Sequence, residues 1–117
     1  MTTVQVMCFD EYQYHISITG HAEYAEKGTP DIVCSACSCL GCTLKNAIRK
    51  MRHDGELLRY EDHTEPGILT MDFDVRNREV YLAKAEDIVI TIFDGFRMLE
   101  QKYPENVKTL FTRKAYD

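Results

Sequence analysis

Gly20-His21-Ala22-Glu23-Tyr24-Ala25-Glu26-Lys27-Gly28-Thr29-Pro30-Asp31-Ile32-Val33-Cys34-Ser35-Ala36-Cys37-Ser38 divides the chain into two kinds of pattern. Before it, apolar residues alternate with polar ones; after it, they recur every three or four positions. Residues 3–9 put Val4, Val6 and Cys8 on one side and Gln5, Met7 and Phe9 on the other. Tyr12, Tyr14, Ile16 and Ile18 then oppose Gln13, His15, Ser17 and Thr19. A period of two marks half-buried strands, and the polar Asp10-Glu11 between them makes a β-hairpin the economical reading.

On the far side, Val33, Ala36, Cys37, Leu40, Leu44, Ala47, Ile48 and Met51 form one apolar helical stripe. Two starts are open: Thr29 as N-cap with Pro30 first in the helix, or Asp31 as N-cap. Either leaves Cys34 in or just beyond the first turn. Cys34, Ser38, Gly41 and Lys45 flank the stripe, Cys37 lies within it, and Cys42 points to the opposite face. Lys50, Arg52 and His53 suit a helix C-terminus, and Asp54-Gly55 ends it.

Residues 56–62 and 67–76 read as strands joined around Pro66-Gly67, the second alternating Leu69, Met71, Phe73 and Val75 with Thr70, Asp72, Asp74 and Arg76. Residues 77–84 fit a helix or a strand. From Ala85, the pattern Ile88, Val89, Ile92, Phe93, Phe96, Leu99 and Tyr103 is helical up to Pro104, although Gly95 interrupts it. Val107 to Thr112 supplies a last short strand. The order is ββαββα(β), and the class expected is α+β: an antiparallel sheet with two helices packed on it. With no repeat or linker, residues 1–117 are expected to form a single domain.

The net charge of −5 disfavours a protein held to nucleic acid by phosphate contacts, so no direct nucleic-acid binding is expected. No run approaches the ~18 apolar residues of a membrane span, and the first residues lack a secretory pattern. Five cysteines, four of them between Cys34 and Cys42, do not read as a disulfide framework, and free thiols in a reducing, cytoplasmic setting are expected.

His21 ends the hairpin, and Cys34 stands where unpaired N–H groups and the helix dipole favour an anion. A cysteine attacks as its thiolate, and a histidine can take the thiol proton. The same N–H groups offer a place for a tetrahedral oxyanion. The alternative for these two residues alone is a structural thiol beside a surface histidine.

Gly20-His21-Ala22, then Gly28, then Asp31-Ile32-Val33-Cys34 with Ser38 four residues on, resembles the ribosomal-processing cysteine proteases, the Prp family. The likeness extends over essentially the whole chain. The resemblance implies a cytoplasmic bacterial endopeptidase, a homodimer, that removes a short N-terminal extension from the large-subunit ribosomal protein L twenty-seven. It implies Cys34 as nucleophile and His21 as general base. Asp31 and Ser38 match motif positions that shape the site. The loop from Ala22 to Pro30 is expected to close over the bound peptide, with Gly20, Ala22 and Gly28 as substrate-loop residues. The chain departs from the family in carrying Ser35 and Cys37 where small apolar residues are usual, and in adding Cys39 and Cys42.

Those additions create two C-x-x-C pairs, Cys34/Cys37 and Cys39/Cys42, the form of a thiol-redox or metal site. On one continuous helix the four thiols point in different directions and do not converge on an ion. The strand context of a thioredoxin is also missing. No metal or cofactor is expected, but Cys37 is spaced to trap Cys34 as a disulfide under oxidation. The non-enzymatic alternative is a ribosome-associated or dimeric binding module with structural thiols.

Overall fold

The computed structural model describes residues 1–115. Its elements are β1 (Thr2–Phe9), β2 (Gln13–Thr19), α1 (Ile32–His53), β3 (Leu57–Glu65), β4 (Ile68–Val75), α2 (Glu79–Lys102) and β5 (Val107–Lys114). The strands form one sheet in the order β3-β4-β2-β1-β5. Alternation dictates the packing: Val4, Val6 and Cys8, Tyr14, Ile16 and Ile18, and Leu69, Met71, Phe73 and Val75 are buried on one face. Both helices cover that face with their own stripes, Val33, Cys37, Leu44, Ile48 and Met51 from α1 and Ala85, Val89, Phe93 and Phe96 from α2. The α+β architecture is the one the sequence pattern leads to.

The sheet is mostly but not wholly antiparallel. β5 runs parallel to β1, while β1–β2, β2–β4 and β3–β4 are antiparallel. It follows that α1 joins two strands running the same way, β2 and β3, and α2 does the same for β4 and β5. A crossover helix returns the chain in its original direction, and that, rather than any hairpin, sets the orientation of β5.

Boundaries shift where long-range pairing decides them. β3 runs to Glu65 instead of stopping at residue 62, because His63, Thr64 and Glu65 pair with Thr70, Leu69 and Ile68 across the Pro66-Gly67 turn. His63 is therefore a strand residue. β5 continues past Thr112 to Lys114. The ambiguous stretch before Ala85 is helical from Glu79, with Tyr81 and Leu82 packed against the core. Gly95 has a packing reason: a Cβ there would sit 3.0 Å from Leu40 Cδ2, so the glycine lets α2 approach α1. Gly41 is buried, not flanking, and a Cβ on it would lie 3.1 Å from Leu69 Cδ2 and 3.2 Å from Ile18 Cδ1.

Candidate active site

The N-cap of α1 is Asp31, not Thr29, and its carboxylate does two jobs. Oδ1 accepts the Cys34 N–H at 2.9 Å, which caps the helix. Oδ2 accepts the N–H groups of Tyr24 at 2.8 Å and Ala25 at 3.2 Å, which ties the loop after His21 to the helix start. The Cys34 N–H first, then those of Ala25, Tyr24 and Val33, hold the Asp31 carboxyl below its ordinary value. These bonds change one expectation. The Cys34 N–H is spent on the Asp31 carboxylate and the Ser35 N–H on the Asp31 carbonyl at 3.0 Å, so neither is free for an oxyanion.

His21 and Cys34 come together as walls of two adjoining hollows. The inner one, with about 130 Å³ of free volume, lies between α1 and the β3–β4 turn. Its floor is apolar, from Ile18, Cys37, Gly41 and Leu69, and Ser38, Cys42, Thr64 and Glu65 complete its walls. The outer one, about 630 Å³ and more open, is bounded by Glu23, by Ala25 to Thr29 and by Asp31. Both residues line both hollows, so the two spaces meet at His21 and Cys34. Cys34 is half-buried and His21 exposed.

Gly20 and Gly67 fix where His21 stands. Gly20 has φ +89°, and a Cβ on it would clash with the Met1 carbonyl oxygen. Its N–H donates to the Gly67 carbonyl at 2.8 Å. Gly67, φ +77°, backs the imidazole so closely that a Cβ would fall 2.8 Å from His21 Nε2. Ala22 is buried, with its carbonyl accepting from Asn106 Nδ2 at 2.9 Å. Gly28 is exposed in the loop, also at positive φ.

All five cysteines are free thiols. Burial pushes the Cys37 thiol up, an effect the Thr2 side chain partly offsets through a hydrogen bond. Burial likewise raises Cys8, a core thiol. Cys42, expected on the opposite face, ends the line Cys34–Ser38–Gly41–Cys42 along the inner cleft, while Cys39 is exposed elsewhere. Among the described residues, no three His, Cys, Asp or Glu side chains converge as a metal site. Asp72 and Asp74 lie on the uncovered face of the sheet, bonded to His15 and Arg59.

Residue patterning did not single out Gly67, Thr64, Glu65 or Asn106. Pro66-Gly67 announced a turn, but nothing local said that the turn would back a histidine.

An α+β sheet covered on one face, with a histidine and a helix-start cysteine facing one cleft, is the architecture of a candidate thiol hydrolase. The model of the family described as cysteine protease Prp matches residues 1–108, and the chain belongs to that family. No curated protein matches. Solved structures similar in fold include the essential ribosomal processing protease Prp from S. aureus in complex with a covalently linked product peptide. That likeness has a TM-score of 0.71 at 23% identity, over 96% of this chain and 100% of that one. The same S. aureus protease in complex with a substrate peptide gives a TM-score of 0.63 at 20% identity, over 96% and 100%. SMU.848 from Streptococcus mutans gives 0.62 at 16% identity, over 97% and 95%. The chain is thus a cysteine protease of the Prp family. No helix among the described residues is long and apolar enough to cross a membrane.

Proposed function

We propose that this chain is an endopeptidase that removes the N-terminal extension of the ribosomal protein L twenty-seven, with His21 and Cys34 as its catalytic dyad. The observation that carries the proposal is the meeting of two hollows at these two side chains. A peptide lying from the outer space into the inner cleft has to pass between them. The S. aureus protease, similar in fold, is described with a covalently linked product peptide and with a substrate peptide.

In this scheme His21 takes the Cys34 thiol proton, and the thiolate attacks the scissile carbonyl carbon. The tetrahedral oxyanion then collapses, and the imidazolium gives its proton to the leaving amine, the new N-terminus of the ribosomal protein. The extension stays on Cys34 as a thioester. Water, deprotonated by His21, releases it and restores the thiol. Because the Cys34 N–H is committed to Asp31, the Ser38 hydroxyl, one turn along the same cleft, is a candidate oxyanion donor. Asp31 supports the site by holding the loop at Tyr24 and Ala25. Gly20, Ala22 and Gly28 belong to the segment that receives the peptide. As the family resemblance implies, the protease works in the cytoplasm as a homodimer; light scattering on the purified chain tests the second point.

The test is incubation with a peptide carrying the extension, read by mass spectrometry for the cleavage point and for the thioester on Cys34. Cleavage is expected from the parent and absent from Cys34→Ser and His21→Ala, both folded. Normal turnover by Cys34→Ser would end the proposal. Slow thiol labelling spread over all exposed cysteines, with no cleavage, would favour a binding module.

A further inference from the structure

We infer that Asn106 is a positioning residue for His21, a step that rests on the protease proposal above. A catalytic histidine is ordinarily oriented by a third group that bonds its free ring nitrogen. Among the described residues, no such hydrogen bond reaches the His21 imidazole. Its direction is therefore set by packing against Gly67 and by the backbone on either side.

Upstream, Gly20 is pinned by its bond to the Gly67 carbonyl. Downstream, the pin is Asn106. Its Nδ2 donates to the Ala22 carbonyl at 2.9 Å, although the two residues are 84 positions apart. Ala22 is only 1% exposed, so little solvent reaches this residue to replace a lost donor. Asn106 itself stands on a fixed corner between α2 and β5. Its N–H donates to the Tyr103 carbonyl at 3.0 Å, and its carbonyl accepts the Thr2 N–H at 2.8 Å. The same corner meets the loop again where the Tyr103 ring packs edge-on against Tyr24, with centroids 5.1 Å apart. Between these two contacts Glu23 is driven to φ +55°, a left-handed turn that a non-glycine residue adopts only when its surroundings impose it.

Asn106 lines neither hollow, so it does not touch the peptide. Its loss should leave substrate binding nearly intact and let the imidazole swing. A displacement of about an ångström in a catalytic group is enough for a loss on the order of 100-fold. The chemistry also explains the residue type. The Ala22 carbonyl needs a short, neutral donor; an aspartate of the same size would present oxygen to oxygen.

The experiment compares Asn106→Ala and Asn106→Asp with the parent, below the unfolding temperature of each. The backbone bonds of residue 106 survive in both, and Asn106→Ser, also too short to span the gap, serves if either folds poorly. Two readouts are taken: kcat and KM on the extended peptide, and the ring ¹⁵N and ¹H signals of His21. A kcat reduced by roughly 10- to 100-fold with KM within about twofold, together with shifted or broadened His21 signals, is the expected result. An unchanged kcat would overturn the inference, as would a reduced kcat with undisturbed His21 signals. If the parent cleaves no peptide, the protease proposal has failed on its own, and undisturbed His21 signals in the variants would then overturn the positioning role.

Discussion

His15 and His21 are six residues apart, yet the fold treats them in opposite ways. His15 lies on the uncovered face of β2, and its Nδ1 meets Asp72 Oδ1 at 2.6 Å, a close His–Asp pair of the kind usually sought in an active site. His21 leaves the same strand one residue beyond Gly20, has no such partner among the described residues, and stands in a cleft with Cys34. If His21 is the base proposed above, the difference teaches that a close carboxylate partner is not what fits a histidine for catalysis. His15 has one nitrogen committed to a carboxylate on the uncovered face of the sheet, away from Cys34. His21 shares its cleft with a thiol, and glycines and backbone bonds hold it there. Cys37 and Cys34 repeat the contrast three residues apart: one thiol buried and bonded to Thr2, the other half-exposed where two hollows meet.

The largest effects test that contrast directly. His21→Ala and Cys34→Ser should each lower kcat/KM for the extended peptide by about 10³-fold or more, as removal of a member of a nucleophile–base set does. His15→Ala should stay within about twofold of the parent. A collapse of activity in the His15 variant would break the comparison. Next in size is Gly67→Ala, which aims a methyl group at His21 Nε2 from a left-handed backbone. It should cost about 1–3 kcal/mol of stability and reduce kcat by roughly tenfold or more. Thermal unfolding and steady-state kinetics separate the two consequences.

Asp31 provides a pH handle on the same site. Its carboxyl is held below its ordinary value in the folded chain, chiefly by the Cys34 N–H. A depressed folded value means that the charged form stabilises the fold at and above the unfolded value. That contribution fades as pH falls through the folded one. The loop around Tyr24 and Ala25 should therefore loosen only in acid, below about pH 4, and amide exchange of Tyr24, Ala25 and Cys34 should accelerate there together. Asp31→Asn can keep the Cys34 bond but has only one oxygen, so it should release Tyr24 and Ala25 at neutral pH and lower cleavage several-fold. Unchanged exchange in that variant would show that the carboxylate does not hold the loop.

Much of this was legible in the sequence because it is local. Alternation marked the core faces of β1, β2 and β4, and a three- and four-residue recurrence marked α1, each a direct consequence of backbone geometry. The motif residues His21, Cys34 and Ser38 announced one cleft wall, and Asp31 one of the two possible caps. What stayed hidden depends on distant partners. The direction of β5 is set by the crossover of α2, not by its own residues. Gly67 reads as an ordinary turn until the β3–β4 hairpin is laid beside the end of β2, and Asn106 reads as an ordinary loop asparagine until β5 brings it beneath Ala22. The oxyanion expectation is narrowed for a physical reason: the N-cap carboxylate takes the Cys34 N–H and the Asp31 carbonyl takes that of Ser35.

The thiols supply an intermediate test. Burial raises Cys37, so at neutral pH it should react with iodoacetamide more slowly than Cys34 and more slowly than the exposed Cys39 and Cys42. Peptide mapping after a short exposure measures the order. Under mild peroxide, a Cys34–Cys37 disulfide would appear as activity recovered by dithiothreitol. Inhibition as complete and as reversible in Cys37→Ala would exclude that trap.

The smallest expected effect belongs to the His15 surface, and there the neighbours set its sign. Asp72 faces His15 on one side and Glu61 of β3 on the other. Removing the imidazole leaves two carboxylates directly opposed across the strands, whereas Asp72→Asn removes the repulsion along with the hydrogen bond. With side chains 44% and 35% exposed, screening keeps either change small. His15→Ala should thus cost about 0.5–1 kcal/mol, Asp72→Asn close to nothing, and the gap should narrow in high salt. Denaturant unfolding at low and high ionic strength measures it. Equal losses in the two variants would mean that the imidazole's contact with Asp72, not relief of Asp72 against Glu61, is what His15 contributes.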